Sequence, residues 1–339
     1  MNLSKQIMTW TKVCAGWVLW PAAVAFFLAA AVPARAEAPG LGLPLDCRLG
    51  ETCWLMNYVD TDPGPAAADF RCRARSYDGH GGTDFAVRDR TVAATVVAAA
   101  AGTVAGLRDG EPDGAFLAGG RSSVASRECG NGVVLRHGDG WETQYCHLSP
   151  GSVTVTSGQA VTAGTPLGRV GLSGMSEFPH VHLELRHQGR RIDPFTGGAA
   201  DGGCGTAGNG LWRDPLPYQG ATLYAAGFAD RVPDKDALKR DAATPATLSK
   251  AAPALVLWGA LFGIEGGDVV RLTLTAPDGT ERLRRDADPA ARTQAWRFEA
   301  AGIKAPAGGL AAGTWRGTVE LRRGGAVVEA RSVAVEVRP

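Results

Sequence analysis

His180-Val181-His182-Leu183-Glu184-Leu185 alternates polar and apolar side chains without a break. Alternate residues of a strand share a face, so His180, His182 and Glu184 project together while Val181, Leu183 and Leu185 turn to a core. The same rhythm of short β-rich runs between glycine turns extends outward from this stretch. It covers Thr83–Val87, Thr91–Ala98, Gly102–Leu107, Val133–His137, Trp141–Leu148 and Leu167–Val170. The pattern predicts an antiparallel, all-β region. Gly138-Asp139-Gly140 between two of the runs is a hairpin signal, and folding about it brings Cys146 close to Cys129, within reach of a disulfide. Arg108–Ser126 breaks the rhythm with Gly, Asp and Ser and reads as a long surface loop of the kind that borders clefts.

Beyond residue 195 the character changes. Gly197–Gly210 is glycine-rich and Asp230–Lys250 is charged, with a short helix predicted around Lys235–Arg240. Alternation returns after Pro253, with Val270, Leu272 and Leu274 opposed to Val269, Arg271, Thr273 and Thr275. Trp315–Leu321 and Val327–Val337 flank Gly324-Gly325 as a further hairpin. Roughly 90 residues of such strands point to a small Ig-like β-sandwich. At 339 residues, the chain has room for two such units.

The chain carries 35 basic and 34 acidic residues. Removing residues 1–36 takes away Lys5, Lys12 and Arg35 and no acid, leaving 32 against 34, a net −2. That balance argues against a nucleic-acid partner, which requires a basic excess. Residues 1–36 read as an export signal: Lys5 and Lys12, the uncharged stretch Val13–Val32, Pro33, then Ala34-Arg35-Ala36. The uncharged stretch approaches the ~20 residues that span a bilayer, so an uncleaved anchor stays open, and membrane contact is expected in that case alone. Cys47, Cys53, Cys72, Cys129, Cys146 and Cys204 are an even number with no C-x-x-C pair, as expected of three disulfides in an oxidising compartment.

All six histidines, at 80, 137, 147, 180, 182 and 187, fall in the first β region. His80-Gly81-Gly82-Thr83-Asp84 is too glycine-rich for a helix, and in an extended segment its first and last residues share a face. Two imidazoles and a carboxylate are a natural catalytic zinc set, leaving one coordination position open. H-x-G-x-D at His80–Asp84, Y-x-H-L at Tyr145–Leu148 and H-x-H at His180–His182 resemble the motifs of the lysostaphin/LytM-type metallopeptidases, over roughly residues 75–195. The resemblance implies Zn2+ as cofactor, His80, Asp84 and His182 as its ligands, and His147 and His180 as catalytic histidines that activate water and stabilise the oxyanion. Ser173–Pro179 departs from the Ser/Thr-Gly-Pro segment of many relatives, which bears on the cleft wall and substrate choice. Glu184 reads equally as a group orienting a ligand histidine and as a solvated carboxylate.

His137, at the hairpin turn, and His187, before Gln188-Gly189, read as structural. Trp258, Trp296 and Trp315 read as core rather than as a platform for glycans. The resulting organisation is a signal peptide (1–36), an irregular disulfide-tied lead-in (37–79), a metallopeptidase domain (80–200), a linker (201–250) and the sandwich (251–339). The resemblance implies an endopeptidase that cuts stem or cross-bridge peptides of peptidoglycan, and the export signal and the cysteines point to a periplasmic or secreted site of action. Two other readings stand beside it: a non-enzymatic regulator of cell-wall hydrolases, and a secreted protease acting on glycine-rich proteins.

Overall fold

The computed structural model describes residues 37–88, 94–205, 208, 210–242 and 244–339, and Ala36–Pro339 form one compact unit. The export segment 1–36 lies outside the described residues, as does the start of the run Thr91–Ala98. The described protein is almost entirely β, with antiparallel pairing nearly throughout. The first region contains β1 (Cys53–Asn57), β2 (Thr83–Val87), β3 (Thr95–Val97), β4 (Gly102–Arg108) and β5 (Asn131–Gly138). It continues with β6 (Trp141–Leu148), β7 (Ala160–Val161), β8 (Pro166–Arg169), β9 (His180–His187) and β10 (Arg190–Ile192). The main sheet runs β1-β2-β9-β6-β5-β4-β7 with β10 on β9, while β3 and β8 pair separately.

The β5–β6 hairpin closes through Asp139 and Gly140, both with positive φ (45° and 76°), the geometry a two-residue type I′ turn requires. One face of the sheet buries Leu55, Phe85, Val181, Leu183, Leu185, Leu135 and Tyr145 in a single core. The lead-in is less irregular than its composition suggests, because it supplies β1. Cys53, Trp54, Leu55 and Met56 are buried on both faces of that strand, so no polar alternation marks it. Three disulfides are present: Cys47–Cys53, Cys72–Cys204 and Cys129–Cys146. The last is the pair expected from the hairpin. Cys72–Cys204 ties the lead-in to the far end of the first region.

The second region contains β11 (Thr222–Ala229), β12 (Thr247–Ser249), β13 (Ala254–Ile264), β14 (Val269–Thr275), β15 (Glu281–Asp286), β16 (Gln294–Lys304), β17 (Gly313–Arg323) and β18 (Ala326–Arg338). They form two sheets, β11-β13-β16 and β12-β18-β17-β14-β15, with β12–β18 parallel. Side chains of both sheets, among them Leu257, Leu272, Trp315 and Val335, share one core. Strand β11 lies within residues 201–250, the stretch the sequence marks as a linker. Helix α2 is Lys235–Arg240, the residues the sequence marks for it, and Asp234 caps it by accepting from the Ala237 amide at 2.7 Å. A third apolar cluster joins the regions: Trp54, Met56 and Ala86 of the main sheet pack with Tyr224, Leu238, Trp258 and Phe262.

Asp193, after β10, is 1% exposed and accepts from the Phe195 amide (3.0 Å) and the Thr196 hydroxyl (3.0 Å). Burial pushes its pKa up to about 6, the hydrogen bonds only partly opposing it. A folded-state pKa above the unfolded one gives stability that is present at low pH and lost as pH rises through about 6. Urea titrations of wild type and D193N are therefore expected to show a stability difference that moves against wild type by about 2 kcal/mol between pH 4 and pH 7. A pH-independent difference would contradict this.

Candidate metal centre and cleft

The site is a consequence of strand register. Asn57 on β1 pairs with Asp84 on β2, Asp84 with His182 on β9, and His182 with Cys146 on β6, forming one row across four strands. The next row on the same face is Trp54, Ala86 and His180. His80 enters from the turn before β2. Its Nε2 lies 3.1 Å from His182 Nδ1 and 3.1 Å from Asp84 Oδ2, and His182 Nδ1 lies 2.9 Å from Asp84 Oδ1. A donor atom from each of the three residues thus falls within 4.8 Å of the others.

The surrounding hydrogen bonds set the state of these donors. His80 Nδ1–H donates to the Tyr58 carbonyl at 2.7 Å, which in the neutral ring leaves a lone pair on Nε2. Asn57 Nδ2–H donates to Asp84 Oδ2 at 2.9 Å. Burial opposes charge on Asp84, but the positive charges of His80 and His180 and the hydrogen bonds from His182 and His80 outweigh it. The carboxyl is held well below its ordinary range. For His80, burial likewise disfavours the charged form, and the Asp84 carboxylate more than compensates, so its pKa is raised.

The donor set fits a zinc ion. Tetrahedral ligands with bonds near 2.0–2.1 Å sit about 3.3 Å from one another, close to the spacing of the three donors here. Three ligands of this N/O chemistry, with no cysteine among them, are the makings of a catalytic rather than a closed structural centre.

His147 and His180 flank this group. Their rings lie 4.7 Å apart, and His147 is 6.0 Å from His182. His180 Nε2 approaches Asp84 Oδ1 at 3.5 Å. His180 Nδ1–H donates to the Phe178 carbonyl (2.7 Å), with Ser176 Oγ at 3.1 Å, and His147 Nδ1–H donates to the Ser173 carbonyl (2.8 Å). Burial, then the neighbouring imidazoles, lower the His147 pKa well below that of free histidine; burial lowers that of His180.

Strict alternation would send His147 to the core, since its neighbour Cys146 is on the site face. The β5–β6 register slips here, so that Cys146 and His147 together face Gly132 alone, a β-bulge that rotates His147 back toward the site. His147 takes φ 66°, rare outside glycine. The Cys129 carbonyl accepting from its amide at 2.8 Å and the Cys129–Cys146 bridge secure that conformation.

All five residues singled out from the sequence come together. Asn57 was not among them: it is a lone asparagine in a run without periodicity, and no local signal marks it. Glu184 is bound by Arg186 (2.7 Å) and Arg191 (3.2 Å), with no hydrogen bond to an imidazole among the described residues. His137 lies outside the group, between the Ala101 carbonyl and Thr143 Oγ1, and His187 stacks on Trp141 at 4.2 Å.

The centre opens into a cleft of about 360 Å³. Its walls include the departing segment Met175–Phe178, Phe116 and Arg121 from the long loop, and Phe262 and Trp296 from the second region. Trp258 and Trp315 are core, as their patterns suggest, but Trp296 is half-exposed and lines the cleft. It sits on the outer face of its sheet, against Phe178 at 5.9 Å.

Residues 78–194 match the family model described as Peptidase family M23, so the first region carries a domain of that family. Within it, the chain is 37% identical over 117 residues to an uncharacterised metalloprotease of Haemophilus influenzae, covering 34% of this chain and 20% of the relative. It is 42% identical over 67 residues to the DD-carboxypeptidase/endopeptidase Mpg of Neisseria meningitidis, covering 20% and 15%. The chain thus spans a fifth or less of the length of these curated relatives. Among solved structures, the catalytic domain of the prophage-encoded M23 protein EnpA from Enterococcus faecalis is 26% identical. That alignment has a TM-score of 0.29 and covers 38% of this chain and 88% of that one.

Glycines 81 and 82 differ in what they permit. A Cβ on Gly82 would lie 2.6 Å from His182 Nε2 and 2.6 Å from the Leu183 carbonyl, which is strand backbone. One on Gly81 meets only the flexible ends of Arg191 and Glu184. G82A is expected to cost about 1–3 kcal/mol in chemical denaturation, the usual range for overpacking, and G81A less than half of that. Equal costs would contradict this account of the β2–β9 approach.

Proposed function

We propose that this protein is a zinc-dependent endopeptidase that hydrolyses peptide bonds of peptidoglycan. The observation that carries the reading is the convergence of His80, Asp84 and His182 donors to within 4.8 Å, beneath two further imidazoles at the floor of an open cleft. The M23 domain match supports the peptidase class, and a relative from Vibrio cholerae named as the peptidoglycan DD-endopeptidase ShyA, 41% identical over 64 residues, supports the substrate. Three disulfides support folding in an oxidising compartment and, with the N-terminal segment, an exported site of action.

In this reading His80, Asp84 and His182 hold the ion. Zinc in such a setting supplies a lowered pKa for a water molecule and polarisation of the substrate carbonyl. His147 and His180 both commit their Nδ1–H groups to backbone carbonyls, so each offers Nε2 toward the cleft. One Nε2 accepts a proton from the attacking water as the C–O bond forms and passes it to the leaving amine as the C–N bond breaks; the other, carrying a proton taken from solvent, donates a hydrogen bond to the oxyanion. Asn57 orients the Asp84 carboxylate by donating to its Oδ2. Phe178, Phe262 and Trp296 exclude water from one side of the reacting bond.

Elemental analysis of the purified protein is expected to give one zinc per chain, and H182A to lose both the metal and the release of muropeptides from sacculi. H147A should retain zinc while losing hydrolysis by about 10²-fold or more, the usual scale for general acid–base catalysis. N57A should keep the ion at about 10–100-fold weaker affinity in chelator competition, as orienting partners of metal ligands do. A metal-free wild type that still digests sacculi would overturn the assignment.

A further inference from the structure

The cleft carries a charge that the reaction does not use. Three charged residues line it: Asp84, Glu177 and Arg121. Asp84 is committed to the histidines. Glu177 is paired with Lys239 of α2 at 2.8 Å, and that ammonium also lies 5.2 Å over both Phe178 and Trp296. Arg121 has no ion pair among the described residues. It lines the cleft together with Tyr77, whose ring lies 4.5 Å from that of His80.

Arg121 is also well placed to remain where it is. The Arg108–Ser126 excursion folds into α1 (Ala115–Gly119) and a 3₁₀ turn over Arg121–Val124, with Val124 buried. Asp113 Oδ1 accepts from the Leu172 amide (2.8 Å), and Asn131 clasps both the amide and the carbonyl of Glu111 (2.7 and 2.8 Å). Ser123 Oγ donates to the Ala115 carbonyl at 2.8 Å. A guanidinium on such an anchored turn is an available fork for a carboxylate. The opposite wall, Phe178, Phe262 and Trp296, is aromatic and fits hydrocarbon.

We propose that Arg121 binds a free carboxylate of the substrate peptide while the aromatic wall takes the aliphatic part of that peptide, which makes stem peptides, rather than glycine cross-bridges, the substrate of this cleft. A glycine bridge has neither side chain nor internal charge, so it would gain nothing from either wall. Stem peptides offer both. The inference rests on the peptidoglycan reading above and names the part of the polymer that is cut.

The test compares three synthetic peptides: a cross-linked stem-peptide dimer with free carboxylates, the same dimer fully amidated, and pentaglycine acetylated at its N-terminus and amidated at its C-terminus. Wild type is expected to favour the free acid over the amide by about tenfold or more in kcat/KM, carried in KM, as the loss of a charged hydrogen bond implies. R121Q should lose that preference and R121K should keep part of it. Calorimetric binding of the cleaved product peptide, which is not turned over, should show the same order. An unchanged preference in R121Q, or faster cleavage of pentaglycine by wild type, overturns the proposal. If wild type cuts both dimers equally, the Arg121 assignment alone falls; if it cuts none of the three peptides, the peptidoglycan reading falls with it.

Discussion

The register between β2 and β9 is the constraint on which the rest depends. Opposing Asp84 to His182 and Ala86 to His180 puts every polar group of the site on one face and Phe85, Val181 and Leu183 on the other. A slip of one residue would exchange the faces, placing imidazoles in the core and aliphatic side chains in the cleft. The apolar core therefore specifies the site: the free energy that buries Phe85 and its neighbours also fixes where the carboxylate and ring nitrogens meet. Gly82 lets the strands come close enough for this, since any side chain there would collide with His182 and the Leu183 backbone.

A regular sheet could not have supplied the fifth residue. On a uniform strand His147 and Cys146 point to opposite faces, yet both lie on the site face here. The bulge opposite Gly132 adds the half-turn, and Tyr145 and Leu148 on either side remain in the core. A side chain beyond glycine at 132 would meet the Tyr145 carbonyl at 2.5 Å and Cys129 Sγ at 2.8 Å. A disulfide one residue before a strained histidine is a sound arrangement, because left-handed backbone at a non-glycine residue costs about 1–3 kcal/mol and persists only where its surroundings over-determine it. The Cys129 carbonyl and the Ser173 carbonyl hold the amide and the ring of the same residue.

Alternation made the site strand legible. His180 to Leu185 has one polar and one apolar face, and the structure divides it in that way. Hairpin chemistry was legible too, in Asp139-Gly140, because a two-residue turn depends on single residues with local roles. Strands β1 and β11 were not, since they are buried on both faces. Their runs, Cys53–Asn57 and Thr222–Ala229, have no polar phase for a periodicity argument to detect. Asn57 was hidden for the same reason. Trp296 was misplaced because alternation reports which side of a strand a residue takes and is silent about what packs on the outer side.

That outer side gives the second region its relation to the site. Two-layer β units ordinarily leave the outer faces of their sheets to solvent, yet β11-β13-β16 presents Tyr224, Phe262 and Trp296 to the first region. Tyr224 stacks on Phe262 at 4.4 Å and accepts a hydrogen bond from Trp296 Nε1 at 3.1 Å. Phe178, two residues before a site histidine, packs edge-on against Phe262 at 5.3 Å. Lys239 then spans the junction, paired with Glu177 on one side and lying over Trp296 on the other. Aromatic stacking and a partly buried cation fix the wall at a distance set by side-chain dimensions, so the cleft's width is a property of both regions together. A second unit that merely followed the first in sequence would need none of these contacts. Their presence makes the sandwich part of the cleft itself, and any change in how it packs on Trp54 and Met56 alters the space above His180.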